Sequence, residues 1–356
     1  VAPTGHGRRW ESSREESSGL RVAYLLPGAA LYGGVKVVFQ HARALSRLGV
    51  EVTVHSPDPC PDWFEGARAF YRQVPALERR FLPRVEVAVG TLAPTVVPAI
   101  EIAERLACHL CQGYEPGHDT LEAGAREVMR AAYDLPALKL VVSPHLLRTV
   151  RDRHGVEARW IPQPFEPHLF RPPEGERADD GRLRVLVSGH WELEVKGVAW
   201  CMRALRPLFE QTGGGIELVR LSLDADDEEL ALWPEAARHR HVPPAEVPAL
   251  LQGVDLCIGP SSPLEGFGLL ALEAMGCGRA CVLTDIPSHR DLDPDSEASI
   301  KVPFGDGPAL RQTVERLWRD RDLRGRLGVA GRAIAETYTE RRTAEALMRA
   351  FRRPPT

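Results

Sequence analysis

Two series of alternating strand-like and helix-like segments, separated by one proline-rich stretch, constrain this chain more than any other feature. Leu20 to Pro27 (LRVAYLLP) is short, apolar and rich in β-branched and aromatic residues. A glycine-containing loop follows, then GGVKVVFQHARALSRLGV, whose Val37, Val38, Ala42, Leu45 and Leu48 recur at helical spacing up to Gly49, where a helix commonly stops. EVTVHS reads as the next strand. The alternation continues through VEVAVG, the helix-like PTVVPAIEIAERL, ACHLCQ, LEAGAREVMRAAY, LKLVVS and HLLRTVRDRHGV. From Trp160 to Arg184 five prolines and few periodic apolar positions give the texture of a linker. A second series then runs from RVLVSG through GVAWCMRALRPLFEQ, IELVRLS, a helix near Glu228 to Ala237, VPALLQG, VDLCIGP, LLALEAMGCG and ACVLT. An Arg- and Ala-rich helical end covers Ala309 to Phe351.

Strands alternating with helices of this length imply mostly parallel sheets covered on both faces. The expected fold class is therefore α/β, with two doubly wound, Rossmann-like domains facing each other across a cleft. The expected division is a flexible tail over 1–19, a first domain over 20–161, a linker over 162–183, a second domain over 184–336, and a C-terminal helix over 337–356 that is a candidate to cross back onto the first domain. In such sheets ligands sit outside the carboxyl ends of the strands, so the loops after Leu26, Cys111, Ser188 and Pro260 are expected to line the cleft.

Composition narrows the function classes. The 356 residues leave room for two cores, and 44% apolar with 26% charged residues is the balance of a soluble globular chain. A net charge of −4 supplies no basic field, so nucleic acid is not an expected partner. No apolar run reaches 18 residues and the polar start resembles no signal peptide, so no transmembrane segment and an intracellular, cytoplasmic location are expected; peripheral membrane contact stays open. Seven cysteines suit reduced, buried thiols better than a disulfide framework. Cys108 and Cys111 form a Cys-x-x-Cys, but inside an apolar strand and without a second pair, which favours core thiols over zinc. The acids Asp224, Asp226 and Asp227, followed by Glu228 and Glu229, read as helix-capping residues rather than a metal site. The first loop, GAALYGG, lacks the G-x-G-x-x-G fingerprint and disfavours a nicotinamide dehydrogenase.

The most informative segment is SSPLEGFGLLALEAMGCGRACVLTD, Ser261 to Asp285. A strand ends at Pro260, a loop offers Glu265, Gly266, Phe267 and Gly268, and a helix opens at or just after Gly268. Unpaired N–H groups at a helix start, beside glycines that admit a ligand to the backbone, suit a pyrophosphate. Glu273, roughly 7 to 8 Å down that helix, is placed to accept both hydroxyls of a ribose. A glycoside hydrolase pair is the competing use. Eight residues of helical backbone would separate Glu265 from Glu273 by about 12 Å, beyond the roughly 5 to 9.5 Å of hydrolysis, although Glu265 precedes the helix and a folded loop would bring it closer. A solvated loop acid and a surface helix acid are the plain alternatives, yet Glu273 sits between Leu272 and Ala274 on a largely apolar helix, where an unpaired acid is costly.

EGFGLLALE resembles the signature of glycosyltransferase family 4, whose members have the two-domain GT-B fold and retain anomeric configuration; the resemblance runs over most of the chain from about Leu20. It implies that Glu265 faces the donor sugar, that the backbone from Phe267 to Leu269, beside Gly266 and Gly268, holds sugar and phosphate, and that Glu273 binds ribose. In RVLVSGHWELEVKGVAW, Lys196 fits the family lysine that neutralises the diphosphate, and it is one of only four lysines. Where the family has Gly-Arg this chain has Gly189-His190 in a loop one residue longer, so whether His190 stands in for the arginine is open. Gly33 and Gly34 are similar to the family's glycine loop that reaches donor phosphate and acceptor; a tight strand-to-helix turn would use the same residues. The strand end near Arg240 to Val242 matches the one whose backbone cradles the nucleobase, with Val242 as the candidate contact. CHLCQGYEP resembles the Q-x-Y-E-P stretch of a subgroup that includes bacterial rhamnosyltransferases, which implies Gln112 and Glu115 facing the sugars and a dTDP-linked deoxysugar such as dTDP-rhamnose.

By this resemblance the chain is a retaining hexosyl or deoxyhexosyl transferase. It moves a sugar from a nucleoside-diphosphate donor, bound mainly by the second domain, to a hydroxyl of a saccharide or natural-product acceptor on the first. Lys196 and Glu265 are the expected catalytic residues. No cofactor and no required metal are expected. A non-catalytic sugar-nucleotide-binding relative, or an epimerase on the same fold, remains the alternative.

Overall fold

The computed structural model describes residues 19–117, 122–175, 180–224 and 226–352. The expected tail therefore lies, but for Gly19, outside the described residues. The chain divides into two compact units, one running to Pro164 and resuming at Thr339, the other spanning Phe165–Tyr338.

The first unit contains β1 (Arg21–Leu25), α1 (Gly33–Arg47), β2 (Glu51–Ser56), β3 (Tyr71–Gln73), β4 (Val85–Gly90), α2 (Ala93–Ile102), β5 (Ala103–Cys111), α3 (Ala123–Asp134), β6 (Leu138–Val141), α4 (Pro144–His154) and β7 (Ala158–Trp160). Its seven strands lie parallel in the order β3-β2-β1-β4-β5-β6-β7. The second unit contains β8 (Leu183–Ser188), α5 (Val198–Thr212), β9 (Ile216–Ser222), α6 (Asp227–Leu232), β10 (Ala237–Arg240), α7 (Val247–Gln252), β11 (Leu256–Gly259), α8 (Leu269–Gly276), β12 (Ala280–Thr284), α9 (Pro287–Leu292), β13 (Ser299–Val302), α10 (Gly307–Arg319) and α11 (Arg321–Ala335). Its six strands are also parallel, in the order β10-β9-β8-β11-β12-β13. A last helix, α12 (Glu340–Arg352), returns to the first unit and packs on α1, where Glu340 accepts hydrogen bonds from Arg43 and Arg47.

Both sheets are α/β and doubly wound, and each reverses direction beside its first strand, at β1/β4 and at β8/β11. Those are the points where a crevice opens outside the strand ends. Period-2 burial explains the layering of the second unit. Leu183, Val185, Val187, Ile216 and Leu218 all enter the cluster that α5 and α10 cover. On α11, Gly331 approaches α8 so closely that a Cβ would lie 2.9 Å from the Cγ of Met275.

Several sequence expectations need correction. The stretch 162–183 is not a free linker from end to end: Phe165 and Phe170 are buried, and Arg332 donates to the carbonyls of Pro167 and Phe170. Its prolines suppress helical periodicity, which is why a packed segment looks like a tether in sequence. The second unit accordingly starts at Phe165 rather than 184 and ends at Tyr338 rather than 336. The helix read over PTVVPAIEIAERL stops at Ile102, because Ala103 already pairs with Val85 across β4 and β5. The helix placed near Glu228 to Ala237 ends at Leu232, and Ala237 opens β10.

Candidate functional site

The second unit's site grows from the two loops at its switch point. After β8 the chain turns at Gly189, whose φ of +124° favours glycine. A Cβ there would lie 3.0 Å from the Cβ of Lys196, so the lysine stem rests on the turn. At Gly197 the constraint is harder: φ is +63° and a Cβ would fall 2.0 Å from the carbonyl oxygen of Pro260. The two loops are also stitched by the Ser262 N–H donating to the Val195 carbonyl at 2.9 Å. Together these contacts carry Lys196 across to the loop after β11, where its Nζ donates to Glu265 Oε2 at 2.8 Å.

Glu265 is 12% exposed and also accepts from the Ser261 hydroxyl at 3.0 Å. Burial alone would push its carboxyl up. The Lys196 charge and hydrogen bond, helped by Ser261, outweigh that and hold it at about 2. Glu265 is therefore a carboxylate at neutral pH.

Gly268 forms the N-cap of α8 with φ +91°, and Leu269 is the helix's first residue. A Cβ on Gly268 would sit 2.9 Å from Nε2 of His289. That histidine is buried; its Nδ1 lies 2.9 Å from the Thr284 carbonyl, which assigns the proton to Nδ1 and leaves Nε2 as an acceptor beside Gly268. Burial lowers its pKa, so the ring is neutral at neutral pH. Phe267 is buried, edge-on to Tyr338, and Gly266 lies between it and Glu265. Glu273 is half-buried midway along α8, and its charge raises the thiol pKa values of Cys257 and Cys277 after burial has done so.

The remaining candidates fall as follows. His190 Nδ1 stands 3.4 Å from Asp224 Oδ2. Val242 follows His241, whose φ is +50°, and lines a pocket of about 490 Å³ with Val219, His239 and Glu246. Asp226 caps α6 by accepting from the Glu228 and Glu229 N–H groups, the role read for the acidic run. In the first unit, Gly33 and Gly34 open α1, and Gln112 Nε2 donates to the Gly34 carbonyl at 3.0 Å. Glu115 accepts from the Ala93 N–H at the start of α2 and lies 3.9 Å from His109 Nε2. Both side chains thus hold loops together at the sheet's carboxyl edge. Among the described residues no group of three His, Cys, Asp or Glu forms a metal cluster. No described helix is long and apolar enough to cross a membrane.

Sequence reading missed Ser261, His289 and the buried Arg220–Glu229 pair. An arginine in the middle of the apolar run IELVRLS was the available signal for the last.

Known proteins are similar to this chain in part of its sequence and in fold. The family described as "Glycosyl transferases group 1" matches residues 182–320. The putative glycosyltransferase EpsD of Bacillus subtilis (strain 168) is 32% identical over 101 residues, 28% of this chain and 26% of that protein. The D-inositol 3-phosphate glycosyltransferase of Frankia alni is 31% identical over 138 residues, 38% of this chain and 29% of that protein. The matched stretches thus span between a quarter and a third of these two relatives. Among solved structures, sucrose-phosphate synthase from Thermosynechococcus elongatus superposes with a TM-score of 0.77 at 18% identity, over 94% of this chain and 98% of that one. Anabaena HepE in complex with UDP-glucose gives 0.76 at 14% identity, over 94% and 99%. The two parallel-sheet, Rossmann-like units have the GT-B fold of these neighbours.

Proposed function

We propose that this chain is a retaining glycosyltransferase that moves a sugar from a nucleoside diphosphate to an acceptor hydroxyl. The observation that carries the reading is the Lys196–Glu265 pair, set at the β8/β11 switch point beside the N-terminus of α8. The match to a glycosyltransferase family over this unit, and a neighbour bound to UDP-glucose, support it.

The charge state of Glu265 argues against it as the general acid of a hydrolase pair. A hydrolase needs one carboxyl that keeps a proton to give to the leaving oxygen. Glu265, held at about 2, has none to give. It is suited instead to accept sugar hydroxyls and to face positive charge growing at the anomeric carbon. On bond cleavage negative charge appears on the departing diphosphate. Lys196 and the free N–H groups at the start of α8 meet that charge better in the transition state than before it. The acceptor hydroxyl attacks from the face the diphosphate leaves, and a phosphate oxygen takes its proton, so no protein base and no resident metal are required. Transfer should then persist in EDTA.

Lys196→Ala should lower kcat/KM for sugar transfer by about two to three orders of magnitude, the range for loss of one charge-stabilising donor. A variant within a few-fold of the parent refutes the assignment. The same assay, following nucleotide release with and without acceptor, separates transfer from mere binding or epimerisation. The donor is proposed to be dTDP-linked, on the QGYEP stretch alone, since Gln112 and Glu115 are engaged with backbone. Calorimetry with dTDP, UDP and GDP decides this, and tight GDP binding without dTDP binding removes the rhamnose reading.

A further inference from the structure

Arg220 lies inside β9 with no exposed surface. Its Nε and Nη2 donate to the two carboxylate oxygens of Glu229 at 3.0 and 2.9 Å, a bidentate pair in which Glu229 is 1% exposed. The same guanidinium donates to the Val187 carbonyl at 2.7 Å and to the Gly189 carbonyl at 2.9 Å. Val187 is the penultimate residue of β8, and Gly189 opens the turn on which the Lys196 stem rests. Gly189 is held from its other side as well, because its N–H donates to the Leu221 carbonyl at 3.1 Å.

Burying such a pair is poor value as a source of stability. Two ions leave water, and well-packed apolar residues of similar volume commonly do as well or better. What an apolar pair lacks is a rigid fork of donors able to fix two carbonyls and a carboxylate at once. We infer that Arg220, locked by Glu229, is a positioning residue that sets the Gly189 turn and thereby aims the Lys196 ammonium at a bound diphosphate. The chain of contacts runs from Glu229 through Arg220 and Gly189 to Lys196 and Glu265, entirely within the second unit. The inference rests on the nucleotide-site reading above and adds what orients its lysine.

The test is a binding cycle with UDP, GDP and dTDP as calorimetric probes on the full chain, followed with whichever binds most tightly. In the parent, Lys196→Ala should weaken binding by about ten- to a hundredfold, as loss of a hydrogen bond to a charged group does. In the background Arg220→Met with Glu229→Leu, the same change should cost less than about threefold, because the lysine is no longer aimed. Arg220→Lys, which keeps the charge against Glu229 but not the fork, provides the same comparison should the apolar pair fail to fold. An unchanged cost of Lys196→Ala in either background overturns the inference, since a merely structural pair would move the melting temperature and not this ratio. A parent that binds none of the three nucleotides overturns the nucleotide reading itself, and does so before any variant is made.

Discussion

Replacing Lys196 by methionine keeps the stem that rests on Gly189 and removes the ammonium from Glu265. In the parent the Glu265 carboxyl is held at about 2, against 4.5 for an ordinary glutamate. A difference of about 2.5 units, at 1.36 kcal/mol each, corresponds to roughly 3 kcal/mol of folding stability. The sign follows from the direction of the shift. The folded pKa lies below the unfolded one, so on acidification the unfolded chain binds the proton first. The stabilisation is complete above about pH 4.5 and is lost as pH falls towards 2. Without Lys196, burial pushes the carboxyl up and this contribution vanishes or reverses. Urea unfolding followed by tryptophan fluorescence between pH 3 and 7 reads the effect. Lys196→Met should be less stable than the parent by at least about 3 kcal/mol at pH 7, and the gap should narrow as pH falls through the variant's raised carboxyl pKa towards 2. A gap of the same size at pH 3 and pH 7 would show that the pair does not hold Glu265 ionised, and the reasoning about its charge state would fall with it.

Gly197→Ala should destabilise the second unit by more than about 2 kcal/mol, because strain at positive φ adds to the clash with the Pro260 carbonyl. Gly213→Ala, at φ +56° with nothing within 4 Å, should cost only about 1 kcal/mol, and equal losses at the two sites in calorimetry would refute the clash. Of the seven thiols only Cys60 is partly exposed, and burial pushes Cys201, Cys277 and Cys281 up to about 12. Ellman's reagent at pH 8 should therefore find one fast thiol in the native chain, abolished by Cys60→Ser; any fast thiol left in that variant would contradict the burial.

The parts of this molecule legible in sequence are those whose physics is local. β1, α1 and β8 announce themselves by apolar period and by the glycines at their ends. The loop from Glu265 to Gly268 is legible because a strand end, close-approach glycines and a helix start are contiguous in the chain. β7 and β13 escape, being strands of three and four residues without alternation of their own, stabilised by a neighbouring strand rather than by their own pattern. The packed stretch after Pro164 escapes because Phe165 meets its partner, Gly276, more than a hundred residues away; a Cβ on that glycine would fall 2.3 Å from Cζ of the phenylalanine. Arg220 and Glu229 escape for the same reason at shorter range. Nine residues apart, they become a site component only when β8 comes to lie beside β9.

The resting state of the site bears on the reading proposed for it. Lys196 spends its charge on Glu265, and a diphosphate arriving at the start of α8 competes for the same ammonium. Partial transfer of that ammonium to phosphate weakens the largest of the interactions that hold Glu265 far below its ordinary pKa. Glu265 is only 12% exposed, so a carboxylate that loses part of its lysine keeps Ser261 and needs further donors. On the proposed reading donor sugar hydroxyls would supply them, whereas a nucleoside diphosphate alone would not. The site is thereby expected to favour the complete sugar nucleotide over its nucleoside diphosphate more strongly than the sugar's contact area alone would give. Glu265→Gln, which supplies its own neutral acceptor and leaves no buried charge to satisfy, should reduce that preference. Calorimetry comparing the sugar nucleotide with its nucleoside diphosphate in both proteins reads the difference, and an unchanged preference in Glu265→Gln would refute the exchange of partners.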